Sequence, residues 1–391
     1  MTESARLFMA TLSDELCRSG AIRSREWADI FAGVPRHIFV PEWYEQELNP
    51  QGIAVWRLRN TDGDDSRMAA VYRDQTLVTA IDPSTAEQVD ATGWTGMPTS
   101  SSTQPSLMAG MLEDLDVDEG CRILEIGTGT GYNSALLSAR LGDRLVYSID
   151  IDPVLLQTAR ERLAQIGYAP QLAVGDGQAR YPSEETFDRI IATCSVPGIP
   201  AAWVEQTQPN GIILADVAFG IEGGLVRLSV DAEQRCRGGF TSTGGRFMAA
   251  RRDARAYPRQ QRSPYAPEAG SRPTTVTAAD IRSYYPFRLL LAFQLPTTEL
   301  VYHSDEGSGS MSLQLQQRDG SWARVPLFDD STPTMTYGGS VELWEEVEAA
   351  WQWWNREGRP AQDQFGYARD AEGGHRAWYL PDGRRWDLAA P

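Results

Sequence analysis

The chain of 391 residues reads as an α/β protein, a Rossmann-like, doubly wound parallel sheet with an N-terminal helical segment and a smaller α+β C-terminal part. Three observations predict this. From about 121 to 215, short apolar runs alternate with amphipathic ones, the pattern of strands joined by crossover helices. One junction, Ile123-Leu-Glu-Ile-Gly-Thr-Gly-Thr-Gly-Tyr132, takes a strand into three alternating glycines and then a helix. Beyond about 280 the pattern becomes strand-like runs with one strongly amphipathic helix.

Taken in order, apolar periodicity predicts helices over Arg6–Cys17 and Ser24–Phe31. A stiff, proline-bracketed stretch follows, Val34-Pro-Arg-His-Ile-Phe-Val-Pro41. Residues 50–98 are polar and irregular and carry no clear element. A Ser/Thr cluster, Thr99-Ser-Ser-Ser-Thr-Gln-Pro105, leads into a helix over Ser106–Leu115. Strands are expected over Arg122–Ile126, Leu145–Ile149, Gln171–Val174, Arg189–Thr193 and Gly211–Ala215. Helices between them are expected over Asn133–Leu141, Val154–Ile166 and Ala201–Gln208. Leu225–Val230 and Arg246–Ala250 would add an antiparallel edge. Residues 251–280, rich in Arg, Pro, Ser and Thr, read as a linker. In 281–391, strand-like runs fall at Leu289–Gln294, Ser312–Gln316 and Trp322–Pro326. The helix Val341–Trp354 carries Trp344, Val347, Trp351 and Trp354 as one stripe, which reads as buried. The expected division is therefore a catalytic part at 1–250 (its N-terminal helical portion 1–98), the linker, and a C-terminal accessory domain at 281–391.

Bulk properties narrow the chemistry. A formal charge of −17 argues against a nucleic-acid partner, which needs a basic face. Arg237–Arg262 holds seven arginines and one acid, Asp253, and reads as a solvated basic loop. No apolar run is long enough for a membrane span and no signal peptide is visible, so a cytoplasmic protein is expected. Four cysteines without a Cys-x-x-Cys pair and three scattered histidines give no metal-ligand spacing, so no metal is expected. Cys194, at a strand end, reads as packing.

The glycine junction is a cofactor signal. Glycines let the backbone turn sharply and approach a ligand, while the helix N-terminus offers free N–H groups. The spacing Gly127-Thr128-Gly129-Thr130-Gly131 departs from the Gly-x-Gly-x-x-Gly of nicotinamide folds. Glu125, two residues before the first glycine, can reach a cationic amino group. Asp150, ending Val146-Tyr-Ser-Ile-Asp150 with Ile151 beside it, is placed for the two ribose hydroxyls. Asp176, in Gly175-Asp-Gly177, can accept from an adenine amino group. Ammonium, ribose and adenine without pyrophosphate describe S-adenosylmethionine (SAM).

These motifs, with Val34-Pro-Arg-His-Ile-Phe-Val-Pro41, the Ser/Thr-Gln-Pro segment and Phe187-Asp-Arg-Ile-Ile191, resemble the protein-L-isoaspartate O-methyltransferase family over about residues 1–250. The resemblance implies a SAM-methyltransferase fold, SAM as cofactor and a peptide or protein carboxylate as acceptor. Family members carry Thr-Ile-Ser-x-Pro, whose serine orients the acceptor. Here Ser101-Ser102-Thr103-Gln104-Pro105 puts Thr103 at that position, with Ser102 and Ser101 beside it, and His37 and Gln104 are assigned to the substrate side. An insertion at about Pro83–Pro98 and the region 281–391 also depart from the family pattern. Both resemble the actinobacterial branch that modifies ribosomally made peptides, the lanthipeptide and ATP-grasp-ligated (graspetide) pathways. There the implied reaction is methylation of an aspartate side chain in a precursor peptide, whose ester closes to an aspartimide.

The chemistry suits this composition. A carboxylate is already ionised at neutral pH, so methyl transfer needs positioning and desolvation rather than a general base. Ser and Thr hydroxyls can orient the acceptor, although each could equally cap the Ser106 helix. Two other readings stay open: a housekeeping isoaspartyl repair enzyme, and a non-catalytic SAM-binding scaffold for a peptide.

Overall fold

In the computed structural model, residues 2–49, 54–61, 65–90, 92–253, 264–305, 309–328 and 333–388 are described. The N-terminal part runs α1 (Glu3–Ser19), α2 (Arg25–Gly33), α3 (Arg36–Phe39), β1 (Glu42–Leu48), β2 (Ala54–Asn60), α4 (Asp65–Val71), β3 (Leu77–Ile81), β4 (Glu87–Asp90), β5 (Gly93–Thr95), β6 (Pro98–Ser102) and α5 (Pro105–Leu115). The central part is β7 (Ile123–Ile126), α6 (Tyr132–Leu141), β8 (Val146–Asp150), α7 (Pro153–Gln165), β9 (Gln171–Val174), β10 (Phe187–Val196), α8 (Ala201–Glu205), β11 (Thr207–Ala218), β12 (Gly223–Val230) and β13 (Cys236–Phe240). The C-terminal part adds β14 (Glu268–Pro273), α9 (Ala278–Ser283), α10 (Tyr285–Gln294), β15 (Glu299–Ser304), β16 (Met311–Gln316), β17 (Trp322–Pro326), β18 (Thr334–Gly338), α11 (Glu342–Arg356), β19 (Phe365–Arg369), β20 (His375–Tyr379) and β21 (Arg385–Leu388).

The central strands are apolar at consecutive positions because both faces of their sheet are covered. Ile123, Ile191 and Leu214 face a core shared with α1, α2, α5 and α6. Their neighbours Leu124, Ile190 and Ile213 face a second core on the opposite side. The sheet has ten strands in the order β21-β20-β19-β13-β12-β11-β10-β7-β8-β9. β9, β8, β7, β10 and β11 are parallel, and β12 onward are antiparallel. The chain reverses its winding between β7 and β10, and the carboxyl ends of strands at such a switch point form the ligand crevice.

Two expectations from sequence change here. Residues 50–98, unassigned above, build most of a second, six-stranded sheet with the order β4-β5-β2-β1-β3-β6. Its strands alternate poorly because much of it is exposed, including all four residues of β4. Leu289–Gln294, read as strand-like, instead ends helix α10, whose residues from Leu289 to Phe293 are all buried. A helix buried all round has no amphipathic stripe to betray it.

The C-terminal part is also joined more closely than a linker and separate domain would suggest. β14 lies inside the expected linker, while 254–263 fall outside the described residues. β19 pairs with β13, so β19–β21 continue the ten-stranded central sheet itself. Trp344, Val347 and Trp354 of the expected stripe are buried inside the same core as Leu124 and Ile126, while Trp351 is half-buried at its margin and Trp353 is buried instead. Phe293 of α10 shows how the parts are tied. Its ring lies within 6 Å of Phe219, Phe240, Phe365 and Trp386.

Within the N-terminal part, a buried cation fixes the end of β6. Arg36, at the start of α3, is wholly buried and has no ion-pair partner among the described residues, Asp74 acting on it only at longer range. Its Nη1 donates to the carbonyls of Val71 (2.7 Å) and Arg73 (3.2 Å). Nη2 donates to the carbonyls of Gln75 and Thr103 (both 3.1 Å), and Nε to the Ser102 hydroxyl (3.3 Å). Burial lowers its pKa to about 10, which leaves it charged at neutral pH. The planar guanidinium thus clamps the turn after α4 to the end of β6.

Two outcomes follow for stability. Arg36→Lys, which cannot span these acceptors, should cost roughly 2–4 kcal/mol in denaturant unfolding. Phe293→Ala should cost about 3–5 kcal/mol and move one cooperative transition, because its ring bridges both parts of the core. A separate, unshifted transition for the central sheet would show the parts to be independent.

Candidate active site

The loop after β7 forms as the glycines require. Gly127, Gly129 and Gly131 all have positive φ, at 98°, 51° and 89°. A Cβ on Gly127 would sit 2.7 Å from the Thr193 hydroxyl oxygen. That hydroxyl donates to the Gly127 carbonyl at 2.8 Å, locking the loop to β10. Gly131 caps α6 and lies close to α7, where an added Cβ would be 3.1 Å from that of Ala159. Above the loop is a cavity of about 370 Å³, inside the roughly 300–1,000 Å³ of small-molecule sites.

Glu125 is fully buried on the wall of this cavity. Oε1 accepts from Asn133 Nδ2 at 2.8 Å, and Oε2 accepts from the hydroxyls of Ser148 (2.6 Å) and Ser134. Burial outweighs these donors and raises its pKa to about 7. Asp150, at the end of β8, accepts from the N–H groups of Gly129 (2.8 Å) and Asp152 (3.0 Å). Burial raises its pKa as well. Thr128, Thr130, Ile151 and Gly177 line the same space. Asp176 stands just off the lining and accepts from the Gln178 N–H of its own turn (2.9 Å).

The opposite wall is β6. Ser100, Ser101, Ser102 and Thr103 all line the cavity, and a Cβ on Gly129 would lie 3.8 Å from the Ser100 hydroxyl and 3.9 Å from the Ser101 carbonyl. The cluster expected before α5 is therefore a strand packed against the glycine loop. It does not cap the helix, since the N-cap is Gln104 and makes no side-chain cap. The Ser102 hydroxyl is taken by Arg36, and Ser100 accepts from Thr79 at 3.0 Å. Among the described residues, the Ser101 and Thr103 hydroxyls have no such partner, so these two are open to a ligand.

His37 and Gln104, assigned above to the substrate side, do not line this cavity. His37 is half-buried, with Nδ1 2.6 Å from the Tyr72 hydroxyl, and burial lowers its pKa. Gln104 donates to Asp74 Oδ2 (3.1 Å) and the Ser106 hydroxyl (3.0 Å), ordering the entry to α5. Both organise the wall from behind. Cys194 does reach the cavity, but burial pushes its thiol up to about 12, which removes it as a nucleophile.

Several site residues lacked a sequence signal. Arg246–Arg251 form a third wall, with Ala250 N–H donating to the Ser195 carbonyl (2.8 Å) and Ser195 N–H to that of Met248 (2.9 Å). This is a single bridge at a break in the β10–β11 register, not the expected edge strand. Arg255, Arg259 and Arg262 of the basic run lie outside the described residues. Arg246 pairs with buried Asp216 (3.3 Å) and with Glu222, and Arg251 donates to the Thr99 carbonyl (3.2 Å). Tyr132 and Asn133 line the cavity too, and the Tyr132 hydroxyl and Asn133 Oδ1 are buried without a partner. The Tyr132 hydroxyl lies towards Arg36, whereas Asn133 donates to Glu125 and leaves its Oδ1 beside that carboxylate, an orphaned acceptor that suits a ligand bringing an ammonium group.

The protein-L-isoaspartate(D-aspartate) O-methyltransferase family model matches residues 68–236. A Caulobacter protein-L-isoaspartate O-methyltransferase is 36% identical over 140 residues, 36% of this chain and 62% of its own. The Thermococcus onnurineus protein of that name is 38% identical over 115 residues, 29% of this chain and 52% of its own. The chain thus spans between half and two-thirds of the length of these two relatives. Protein-L-isoaspartate O-methyltransferase 2 of Archaeoglobus fulgidus aligns further, 30% identical over 201 residues, 51% of this chain and 74% of its own. With its glycine loop, acids and β6 wall all inside the matched segments, this chain belongs to the protein-L-isoaspartate O-methyltransferase family.

Proposed function

We propose that this chain is a SAM-dependent carboxyl O-methyltransferase acting on peptides. The observation that carries the reading is that Ser101 and Thr103 line the glycine-loop cavity with hydroxyls that have no partner among the described residues. Glu125 and Asn133 would hold an ammonium, Asp150 the ribose, and the loop N–H groups and Gly177 the remainder. When bound, SAM supplies an electrophilic methyl group to an ionised carboxylate. Ser101 and Thr103 orient that carboxylate by donating hydrogen bonds, without pairing it to a fixed cation. Leu107, Met108, Phe247 and Met248 line the same space and exclude water from it. No side chain has to remove a proton, which fits a cavity without a histidine.

Within this class, the finer reading is maturation of a ribosomally made peptide, with methylation of an aspartate side chain. The methyl ester is then attacked by the next backbone nitrogen. That nitrogen loses its proton, methanol departs, and a five-membered aspartimide remains. Support comes from Thr103 at the acceptor position, the β4–β5 hairpin in the insertion, and a C-terminal third built into the catalytic sheet. Repair of isoaspartyl residues is the second reading, favoured by the names of the relatives matched above. Radiolabelled methyl transfer to three peptides separates them: linear isoaspartyl, linear aspartyl and side-chain-cross-linked aspartyl. Preference for the cross-linked aspartyl peptide supports maturation, preference for the isoaspartyl peptide supports repair, and no transfer to any refutes catalysis.

Thr103→Ala should lower kcat/KM by roughly 10–100-fold, the worth of one hydrogen bond to a charged group, while Thr103→Ser should retain most of it. Cofactor affinity measured by calorimetry should be nearly unchanged in both.

Glu125 predicts opposite pH effects on stability and binding. Its pKa is raised from 4.5 to about 7, so the folded protein keeps a proton the unfolded chain has released. Stability from this group is full below about 4.5 and is lost as pH rises through 7. At pH 8, Glu125→Gln should therefore be more stable than wild type by about 1–3 kcal/mol, with the difference shrinking towards pH 5. SAM affinity of the wild type should rise between pH 6 and 8 as the carboxylate ionises, and Glu125→Gln should flatten that rise.

A further inference from the structure

The sheet extension β13-β19-β20-β21 buries one face and presents the other. Cys236, Phe365, Tyr367, Ala377, Tyr379, Trp386 and Leu388 point into the core. The alternate residues line an outer groove of about 450 Å³ made by Arg237, Ala368, Arg376, Trp378, Leu380 and Arg385. Strand register sets Arg237, Ala368 and Arg376 in one row across three strands, and Trp378 opposite Arg385 in the next. Gly366 is required beneath them, because a Cβ there would lie 2.0 Å from the Trp378 ring. The indole consequently rests on bare backbone, and the Arg237 guanidinium sits 4.7 Å from its centroid. This stacking orders a cation without neutralising it. Arg376 shares its charge with exposed Asp387 (2.8 Å), whereas Arg237 and Arg385 have no ion-pair partner among the described residues.

Two guanidiniums without an ion-pair partner among the described residues, Arg237 and Arg385, stand beside an exposed leucine and a tryptophan on a chain carrying −17, and Arg376 joins them while shared with Asp387. β21 is also the outermost strand of its sheet, the position at which an extended peptide can add a strand. None of these residues belongs to the methyl-transfer cavity. We propose that this groove is a second substrate-binding site, which takes an acidic, leucine-containing stretch of the peptide and is distinct from the cavity that holds the reacting carboxylate. The proposal rests on the reading that the substrate is a peptide. Arginine forks suit carboxylates, and an alternating acidic and apolar strand would place its acids on Arg237 and Arg385 and its apolar side chains near Trp378 and Leu380.

The test uses the full chain and a fluorescein-labelled peptide of alternating Glu and Leu, with a Gln/Leu peptide of equal length as control. Anisotropy should show saturable binding of the acidic peptide, weakened about tenfold by Arg237→Gln with Arg385→Gln and weakened again by added salt. An isoaspartyl peptide with the acidic extension should show a several-fold lower KM than one without, at equal kcat. The double variant should lose that gain and still methylate the unextended peptide at the wild-type rate. The proposal is overturned if the acidic peptide binds no better than the Gln/Leu control, if the double variant binds it equally well, or if an RNA oligonucleotide binds the groove more tightly. Binding that needs both arginines, without methylation of any peptide, would uphold the groove and refute the catalytic reading.

Discussion

A positive charge with no ion-pair partner among the described residues sits between the turn after α4 and the end of β6. Placing a guanidinium wholly out of water is costly unless every donor finds an acceptor. Arg36 meets that condition with carbonyl oxygens of Val71, Arg73, Gln75 and Thr103 and with the Ser102 hydroxyl. Those acceptors belong to the turn after α4 and the end of β6, so satisfying the charge fixes where β6 ends. The Ser101 and Thr103 hydroxyls are consequently held by a strand and a clamp rather than by a free loop. Precision of that kind is what orientation-dependent chemistry needs.

The cavity divides by charge. One side has Glu125 and Asp150, whose ionisation is opposed by burial and would be favoured by a cationic ligand. The other side offers neutral hydroxyls, suited to an anion that must remain nucleophilic. Arg246 and Arg251 stand on the third wall, but Arg246 is held by Asp216 and Glu222. Under the proposed function, the methyl donor and the acceptor would meet opposite surroundings within one crevice.

Much of this was legible in the residues. Glycines at 127, 129 and 131 announced positive φ, and strands through 123–126 and 171–174 fell where the apolar runs placed them. The acids Glu125 and Asp150 arrived at the cavity because strand ends at the switch point have nowhere else to point. What stayed hidden depended on distant partners. Nothing local marks Arg36 as buried, since arginine is ordinarily a surface residue. Arg246–Arg251 become a wall through two hydrogen bonds to Ser195, some fifty residues earlier in the chain. The polar alternation of 42–60 is that of a half-exposed sheet, too weak to separate from loop. His37 sits in the motif that marked the family, yet its ring packs against Tyr72 behind the site. Proximity in a motif is not proximity in a cavity.

The central claim is that the Ser101 and Thr103 hydroxyls present a peptide carboxylate to the cofactor crevice. Mass spectrometry of a peptide incubated with the protein and SAM tests it directly. The account predicts one added methyl group on a carboxyl side chain or isoaspartyl carboxylate, labile to base and lost as methanol when the imide closes, and strongly reduced with Thr103→Ala. A methyl group that is stable to base, or that sits on nitrogen or sulfur, would contradict it.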